Sequence, residues 1–267
     1  MPWEGGTHPT ASRNTSPNDT PHMITPDLTD RTALVTGSAG GVGRAFVLAL
    51  ADHGADVAVH YHTSTEKAEA TAEAARERGS AATTVQGDVT DPDEVDDLFS
   101  AVEADLGRVD VLVNNVGNFA PVHWEEIEWD RWRNVLETNL DGTALCAKRA
   151  LPGMREQGWG RIVNVGYASA ERADVSPKNF PYFVAKTGVL MFTRMLAADT
   201  QDDGITVNAV SPYVVETSDE FPADAPRGRW ANFDDLTAVL LFFCDESTGY
   251  ISGENIEVDG GWLPEKV

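Results

Sequence analysis

Cysteine, lysine and long apolar runs are scarce in this 267-residue sequence, and each shortage excludes something. The two cysteines, Cys146 and Cys244, sit far apart in segments that read as helices, with no ligand-type spacing. They read as buried thiols in a reducing compartment rather than a disulfide framework, and no metal site is expected. No stretch approaches the roughly 18 apolar residues that span a bilayer. The N-terminus also lacks the basic-then-apolar order of a signal peptide, so a soluble, cytoplasmic protein is expected. Five lysines and fifteen arginines stand against 43 acidic residues, for a net charge of −23. Such a surface repels nucleic acid and anionic membranes, which are excluded as partners. The same balance resembles proteins that work in molar salt, where screening relieves self-repulsion, and points to a halophilic source.

What is present is a regular alternation. Residues 1–26 are rich in Pro, Thr, Ser, Asn and Gly and read as a disordered tail, with Met23 as an alternative start. The sequons at Asn14 and Asn18 mean little without a secretory signal. Residues 27–267 read as one domain. Ala33-Leu34-Val35 is the first strand, and Val42, Ala45, Phe46, Ala49 and Leu50 recur at helical spacing up to Gly54. Val57-Ala58-Val59 is a second strand, followed by a helix from Thr65 to Arg78 and a third strand at Thr83-Thr84-Val85. Thr90 followed by Asp93 predicts a capping box for the helix running to Leu106. Four more strands follow at residues 111–113, 162–165, 205–207 and 256–258. Apolar strands alternating with helices predict a doubly wound α/β Rossmann domain with about seven parallel strands and helices on both faces.

The turn after the first strand reads Thr36-Gly37-Ser38-Ala39-Gly40-Gly41-Val42-Gly43. Glycines there permit a sharp turn, close approach of backbone N–H groups to a pyrophosphate, and tight helix packing. The phosphate would sit at the positive end of the helix that starts near Gly41. Further along, Tyr182 and Lys186 are four apart, on one face of a helix. A phenol of pKa near 10 needs help to exchange protons at neutral pH, and a nearby ammonium favours its phenolate. Five tyrosines and five lysines in 267 residues give only roughly 0.1 such pairs by chance.

The Thr-Gly-x-x-x-Gly-x-Gly spacing resembles the short-chain dehydrogenase/reductase family, and the resemblance runs from about Arg31 to Trp262. Asp88-Val89 matches its adenine-contacting pair. Asn114-Asn115-Val116-Gly117 matches its Asn-Asn-Ala-Gly motif, Asn139 its helix asparagine, and residues 256–261 its closing strand and turn. The resemblance implies a nicotinamide cofactor held by Gly37, Ser38, Gly41, Val42 and Gly43, by Asp88 and Val89, and by Asn115, Val116 and Gly117. Pro212, Val215 and Thr217 match the carboxamide-binding segment, and Tyr182 and Lys186 also touch the cofactor in the family. Tyr61 stands where NAD-binding relatives carry an acidic residue, and His62 where NADP-binding ones carry Arg. His62, Thr63 and Ser64 would then bind a 2′-phosphate, so NADP(H) is the expected cofactor, with NAD(H) possible.

The family implies Tyr182 as proton donor, Lys186 as its modulator and Asn139 as support for a relay water. Its third catalytic position, a serine, is not matched. Counting forward from the strand Ile162-Val163-Asn164-Val165 places Tyr167 there, while counting back thirteen residues from Tyr182 lands on Ser169. Strand register is the safer guide because loops absorb insertions, so Tyr167 is the substitute donor in a loop two residues longer than usual. Tyr213 replaces a family glycine. Phe119, Trp124, Tyr167, Tyr213 and Phe221 are candidates to line one pocket for a flat or aromatic substrate. The reading is hydride transfer between NAD(P)(H) and a small carbonyl or alcohol, similar to 3-oxoacyl carrier-protein reductases. The alternatives are a pteridine reductase-like activity, suggested by residues 114–121, and a non-catalytic dinucleotide-binding sensor or scaffold. The family also implies a homo-oligomer, a tetramer or dimer, assembled through the long helices after the fourth and fifth strands.

Overall fold

The computed structural model describes residues 24–170, 178–218, 221 and 225–262. Most of the expected tail therefore lies outside the described residues, as do both sequons. Of residues 24–26, Pro26 is already buried.

Seven strands form one sheet: β1 (Thr32–Val35), β2 (Asp56–Tyr61), β3 (Ala82–Gln86), β4 (Val109–Asn114), β5 (Gly160–Val165), β6 (Ile205–Pro212) and β7 (Asn255–Val258). Their order is β3-β2-β1-β4-β5-β6-β7, and every pairing is parallel. Parallel neighbours need long crossovers, and helices supply them. These are α1 (Gly41–Asp52), α2 (Thr65–Arg76), α3 (Pro92–Leu106), α4 (Trp129–Leu136), α5 (Gly142–Gln157), α6 (Phe180–Asp199) and α7 (Phe233–Cys244).

Side-chain alternation along the strands divides the core in two. Ala33, Val35, Val57, Val59, Val111 and Val113 pack under α1, α2 and α7. Leu34, Ala58 and Leu112 face the other way, against Val95, Leu98 and Phe99 of α3 and Cys146, Ala147 and Met154 of α5. Both cysteines are free and buried, and burial alone pushes the Cys146 thiol up to about 12.

Two local expectations change. The helix α3 is capped by Asp91, whose carboxylate accepts from the N–H groups of Asp93 (2.9 Å) and Glu94 (3.3 Å), with Pro92 in the first turn. Thr90 is not the cap, because both its N–H and its hydroxyl donate to the Asp88 carboxylate. The helix α2 ends at Arg76, two residues before the predicted Arg78, and Gly79 turns the chain at φ +91°. The chain reverses direction across the sheet between β1 and β4, and at such a point the carboxyl ends of the strands leave a crevice.

Candidate active site

That crevice is a groove of about 610 Å³, within the range of small-molecule sites. Thr36 and Asn115 build its floor. The Thr36 hydroxyl accepts from the N–H groups of Asn115 (2.9 Å) and Val116 (3.1 Å). The Asn115 amide donates back to the carbonyls of Thr36 and Gly37, both at 3.0 Å. Two loops that follow adjacent strands are thereby locked together. Gly43 is required for the packing, since a Cβ there would lie 2.5 Å from the Gly37 carbonyl oxygen. No side chain caps the N-terminus of α1, which leaves its first N–H groups available to an anion.

Of the sequence-predicted residues, Gly37, His62, Thr63, Ser64, Asp88, Val89, Asn115, Val116 and Gly117 line the groove. Lys67, one turn into α2, lines it as well and was not foreseen. Ser38 does not reach the wall. It is fully buried, and its hydroxyl accepts from the His60 N–H at 3.1 Å. Gly41, Val42 and Gly43 form the start of α1 beside the groove. Pro212 ends β6, and Val215 and Thr217 follow in the loop beyond it, with Val215 bridged to Ala231.

At Gly117 and Asn118 the groove abuts the chemical residues, although Asn139, Tyr182 and Lys186 do not themselves line it. Between α4 and α5 the helix widens into one π turn, Glu137–Asp141, which aims Asn139 inward. The Asn139 amide donates to the carbonyls of Asn118 (2.8 Å) and Val135 (2.9 Å). Its Oδ1 is buried with no protein partner. A Cβ on Gly117 would stand 2.4 Å from that oxygen and 3.4 Å from the Lys186 Nζ, so only glycine allows the three to converge. Lys186 donates to the Val165 carbonyl at 2.7 Å. Tyr182 precedes it by one turn of α6, with the Lys186 Nζ 5.6 Å from the phenol ring centroid. Asn179 positions this turn by accepting from the Ala120 N–H at 2.7 Å.

The model for enoyl-(acyl carrier protein) reductases matches residues 37–263. A 3-oxoacyl-[acyl-carrier-protein] reductase of Staphylococcus aureus is 35% identical over 244 residues, covering 86% of this chain and 97% of the relative. The chain belongs to the short-chain dehydrogenase/reductase family. Nodulation protein G of Azospirillum brasilense is 31% identical, covering 88% of this chain and 98% of the relative. Among solved structures, a gluconate 5-dehydrogenase from Burkholderia cenocepacia, in complex with NADP and tartrate, superposes with a TM-score of 0.82 at 30% identity. The match covers 90% of this chain and 98% of that one. The chain is thus an oxidoreductase of this nicotinamide-dependent family, resembling 3-oxoacyl carrier-protein reductases, and no described helix is long and apolar enough to cross a membrane.

Against the short-chain dehydrogenase/reductase pattern, the serine position takes a definite geometry. The ladder between β5 and β6 continues past the strand ends, with Gly166 N–H donating to Val210 (2.9 Å) and Ala168 N–H to Pro212 (3.0 Å). Register is therefore kept through Tyr167, whose ring meets the Tyr182 ring edge-on at 5.7 Å. Ser169 lies beyond it at φ +73°, with its N–H donating to the Glu257 carboxylate at 2.8 Å and its hydroxyl buried. The structure thus brings Tyr167 to Tyr182 and turns Ser169 toward β7. The loop that would hold the two extra residues falls largely at 171–177, outside the described residues.

Two further expectations are corrected. Phe119 meets Tyr182 at 6.3 Å and Tyr213 meets Tyr167 at 6.3 Å, but Trp124 stacks on Phe180 and Phe221 lies tilted against Trp230. The ring contacts therefore gather Phe119, Tyr167 and Tyr213 around Tyr182 and pair Trp124 and Phe221 with other rings. The second correction is electrostatic. Burial, reinforced by Tyr167, holds the Tyr182 phenol above its ordinary pKa, and burial lowers the Lys186 ammonium to about 8. Desolvation penalises both charged forms.

Proposed function

We propose that this chain is an NADP(H)-dependent reductase that converts a small carbonyl, of the 3-oxoacyl type or a simple ketone, to an alcohol. The observation that carries the reading is the convergence of Gly117, Asn139 and Lys186 at one end of the groove, with Tyr182 one helical turn away. The residues fit a dinucleotide. The glycine turn and the open N-terminus of α1 suit a pyrophosphate, and Asp88 and Val89 suit the adenine end. His62, Thr63, Ser64 and Lys67 supply two potential cations and two hydroxyls for a 2′-phosphate, with no carboxylate to repel it at Tyr61. Lys67 adds a second basic group beside His62. Asn115, Val116 and Gly117, with Pro212, Val215 and Thr217, would hold the nicotinamide half.

A nicotinamide held by these residues would supply the hydride for the carbonyl carbon, or accept it from the alcohol. Tyr182 gives its phenolic proton to the carbonyl oxygen. The protonated phenol is the form that can donate. Lys186 offsets the phenolate left behind, and its position beside Gly117 lets it also reach a ribose. The orphan Oδ1 of Asn139 suits a water that returns the proton to Tyr182. Tyr167 orients the substrate oxygen in place of a serine, from farther out. The protein works as a dimer or tetramer through α5 and α6, and Val184, Met191 and Met195 leave one face of α6 apolar and exposed.

A second reading, pteridine reduction, is favoured by Phe119 and Tyr167, which flank Tyr182 with aromatic edges suited to a flat ring. One assay separates the readings: NADPH and NADH oxidation, in molar KCl, over ketones, 3-oxoacyl thioesters, quinones and dihydropterins. Turnover of a carbonyl with NADPH favoured by about tenfold or more is expected. Turnover confined to dihydropterins would select the second reading. Cofactor binding with no turnover on any compound would support a sensor or scaffold.

A further inference from the structure

The glycine-rich turn is held in shape by a side chain from the next strand. His60, the penultimate residue of β2, is 1% exposed. Its main chain bonds Ser38 in both directions, accepting from the Ser38 N–H at 2.9 Å and donating to the Ser38 hydroxyl at 3.1 Å. Its ring bonds two other crossings. The Gly37 N–H donates to Nδ1 at 2.9 Å, and Nε2 lies 3.0 Å from the Gly87 carbonyl oxygen. An amide N–H can only donate, so Nδ1 must present its lone pair. The ring's single proton therefore sits on Nε2 and donates to Gly87. One neutral imidazole, in one tautomer, ties the glycine turn to the ends of β2 and β3. Only glycine fits at position 37, which sits at φ +63° and where a Cβ would lie 2.9 Å from the Val116 side chain; Asn115 holds its carbonyl and His60 its N–H.

We propose that His60 is a positioning residue for the cofactor: its neutral ring keeps the phosphate-facing turn in its binding shape, and a proton added at Nδ1 releases that turn and weakens dinucleotide binding in acid. The inference rests on the groove being the dinucleotide site. Protonation would set one N–H against another at the 2.9 Å contact and break the bond to Gly37. Burial works in the same direction and holds the imidazole below its ordinary pKa. The charged groups around it divide. His62, on the same strand end, opposes the cation, and Asp88, after β3, favours it. Glu94 of α3 accepts from the Asp88 N–H, and Lys67 of α2 shares the groove wall. The positive end of α1 adds to the terms against a cation. Because the ring must be neutral in the competent form, affinity is complete while the ring is neutral and is lost as pH falls through the depressed value it has in the folded protein.

The test is calorimetric titration of the protein with NADP+ from about pH 7.5 to about pH 5, comparing wild type with His60→Asn. The asparagine oxygen can accept from the Gly37 N–H but does not titrate. Below the pH at which the ring takes up its proton, wild type is expected to lose up to about tenfold in affinity per pH unit, and His60→Asn to lose several-fold less while binding within about threefold at neutral pH. The 2′-phosphate and every other group common to both proteins drop out of the comparison. Parallel profiles would overturn the proposal. A second measurement needs neither a variant nor a cofactor: the nitrogen shifts of the His60 ring in the free protein at neutral pH. An Nε2–H tautomer is expected, and an Nδ1–H or doubly protonated ring would overturn the proposal. Wild type that binds neither NADP+ nor NAD+ at neutral pH would remove the groove reading and the proposal with it, whatever the tautomer.

Discussion

Gly117→Ala isolates the approach on which the site depends. The added methyl would stand 2.4 Å from Asn139 Oδ1, well inside contact distance. Asn139 can yield only by turning its amide, which breaks the bonds to Asn118 (2.8 Å) and Val135 (2.9 Å). At about 1 kcal/mol for each bond, the loss is about 2 kcal/mol. That agrees with the 1–3 kcal/mol typical of overpacking in general and corresponds to a melting temperature lower by roughly 4–8 °C. Turnover should fall further than stability, by about a hundredfold, since the displaced asparagine no longer faces Lys186. Gly40→Ala is the control. Its backbone is extended at φ −165°, and its Cβ would meet nothing within 4 Å, so the melting temperature should stay within about 1 °C of wild type. Thermal melts by circular dichroism and initial rates measure both. A Gly117→Ala protein that melts and turns over like wild type would refute the convergence of Gly117, Asn139 and Lys186.

Other expectations follow from the same geometry. Ser169→Ala should leave kcat/KM within about twofold, because its buried hydroxyl makes no bond, whereas Tyr167→Phe should lower it by about 10- to 100-fold; equal losses would contradict the assignment. Replacing both His62 and Lys67 by Gln should raise the Kd for NADPH about tenfold or more and leave that for NADH nearly unchanged, as read by fluorescence titration. For Lys186, a pKa lowered from 10.5 to about 8 means the native state sheds its proton before the unfolded chain does. Stability should then rise with pH from about 8 toward 10, by an amount on the order of 1–3 kcal/mol, and the urea midpoint of Lys186→Met should lack this rise. With a net charge of −23, the melting temperature should climb with added KCl; a flat response would count against a halophilic origin.

The sheet was legible because β1, β2, β4 and β5 carry apolar runs, and the turns between elements carry glycine at positions such as Gly54, Gly79 and Gly107, all with positive φ. The groove was legible wherever its residues follow strand ends in sequence, as Asp88, Asn115 and Gly117 do. What stayed hidden depends on contacts between segments. His60 looks like any buried strand residue until its ring is found against Gly37 and Gly87, which lie 23 and 27 residues away. Lys67 reaches the groove only because α2 starts directly above it. Ser38 turns its hydroxyl away from the groove to the His60 N–H, and Thr90 is not the cap because its own hydroxyl is claimed by Asp88. The choice between Tyr167 and Ser169 turned on register. The bonds from Gly166 and Ala168 to β6 show that the register holds through that point.

The most direct test of the central claim is the NADPH-dependent turnover of Tyr182→Phe on whichever carbonyl the wild-type protein reduces, with NADPH affinity measured on the same sample. The account predicts a kcat lower by at least about a thousandfold with NADPH affinity within a few-fold of wild type, because the ring stays and only the proton is removed. Turnover that survives the substitution would mean that another group delivers the proton, and the assignment of this site would be wrong.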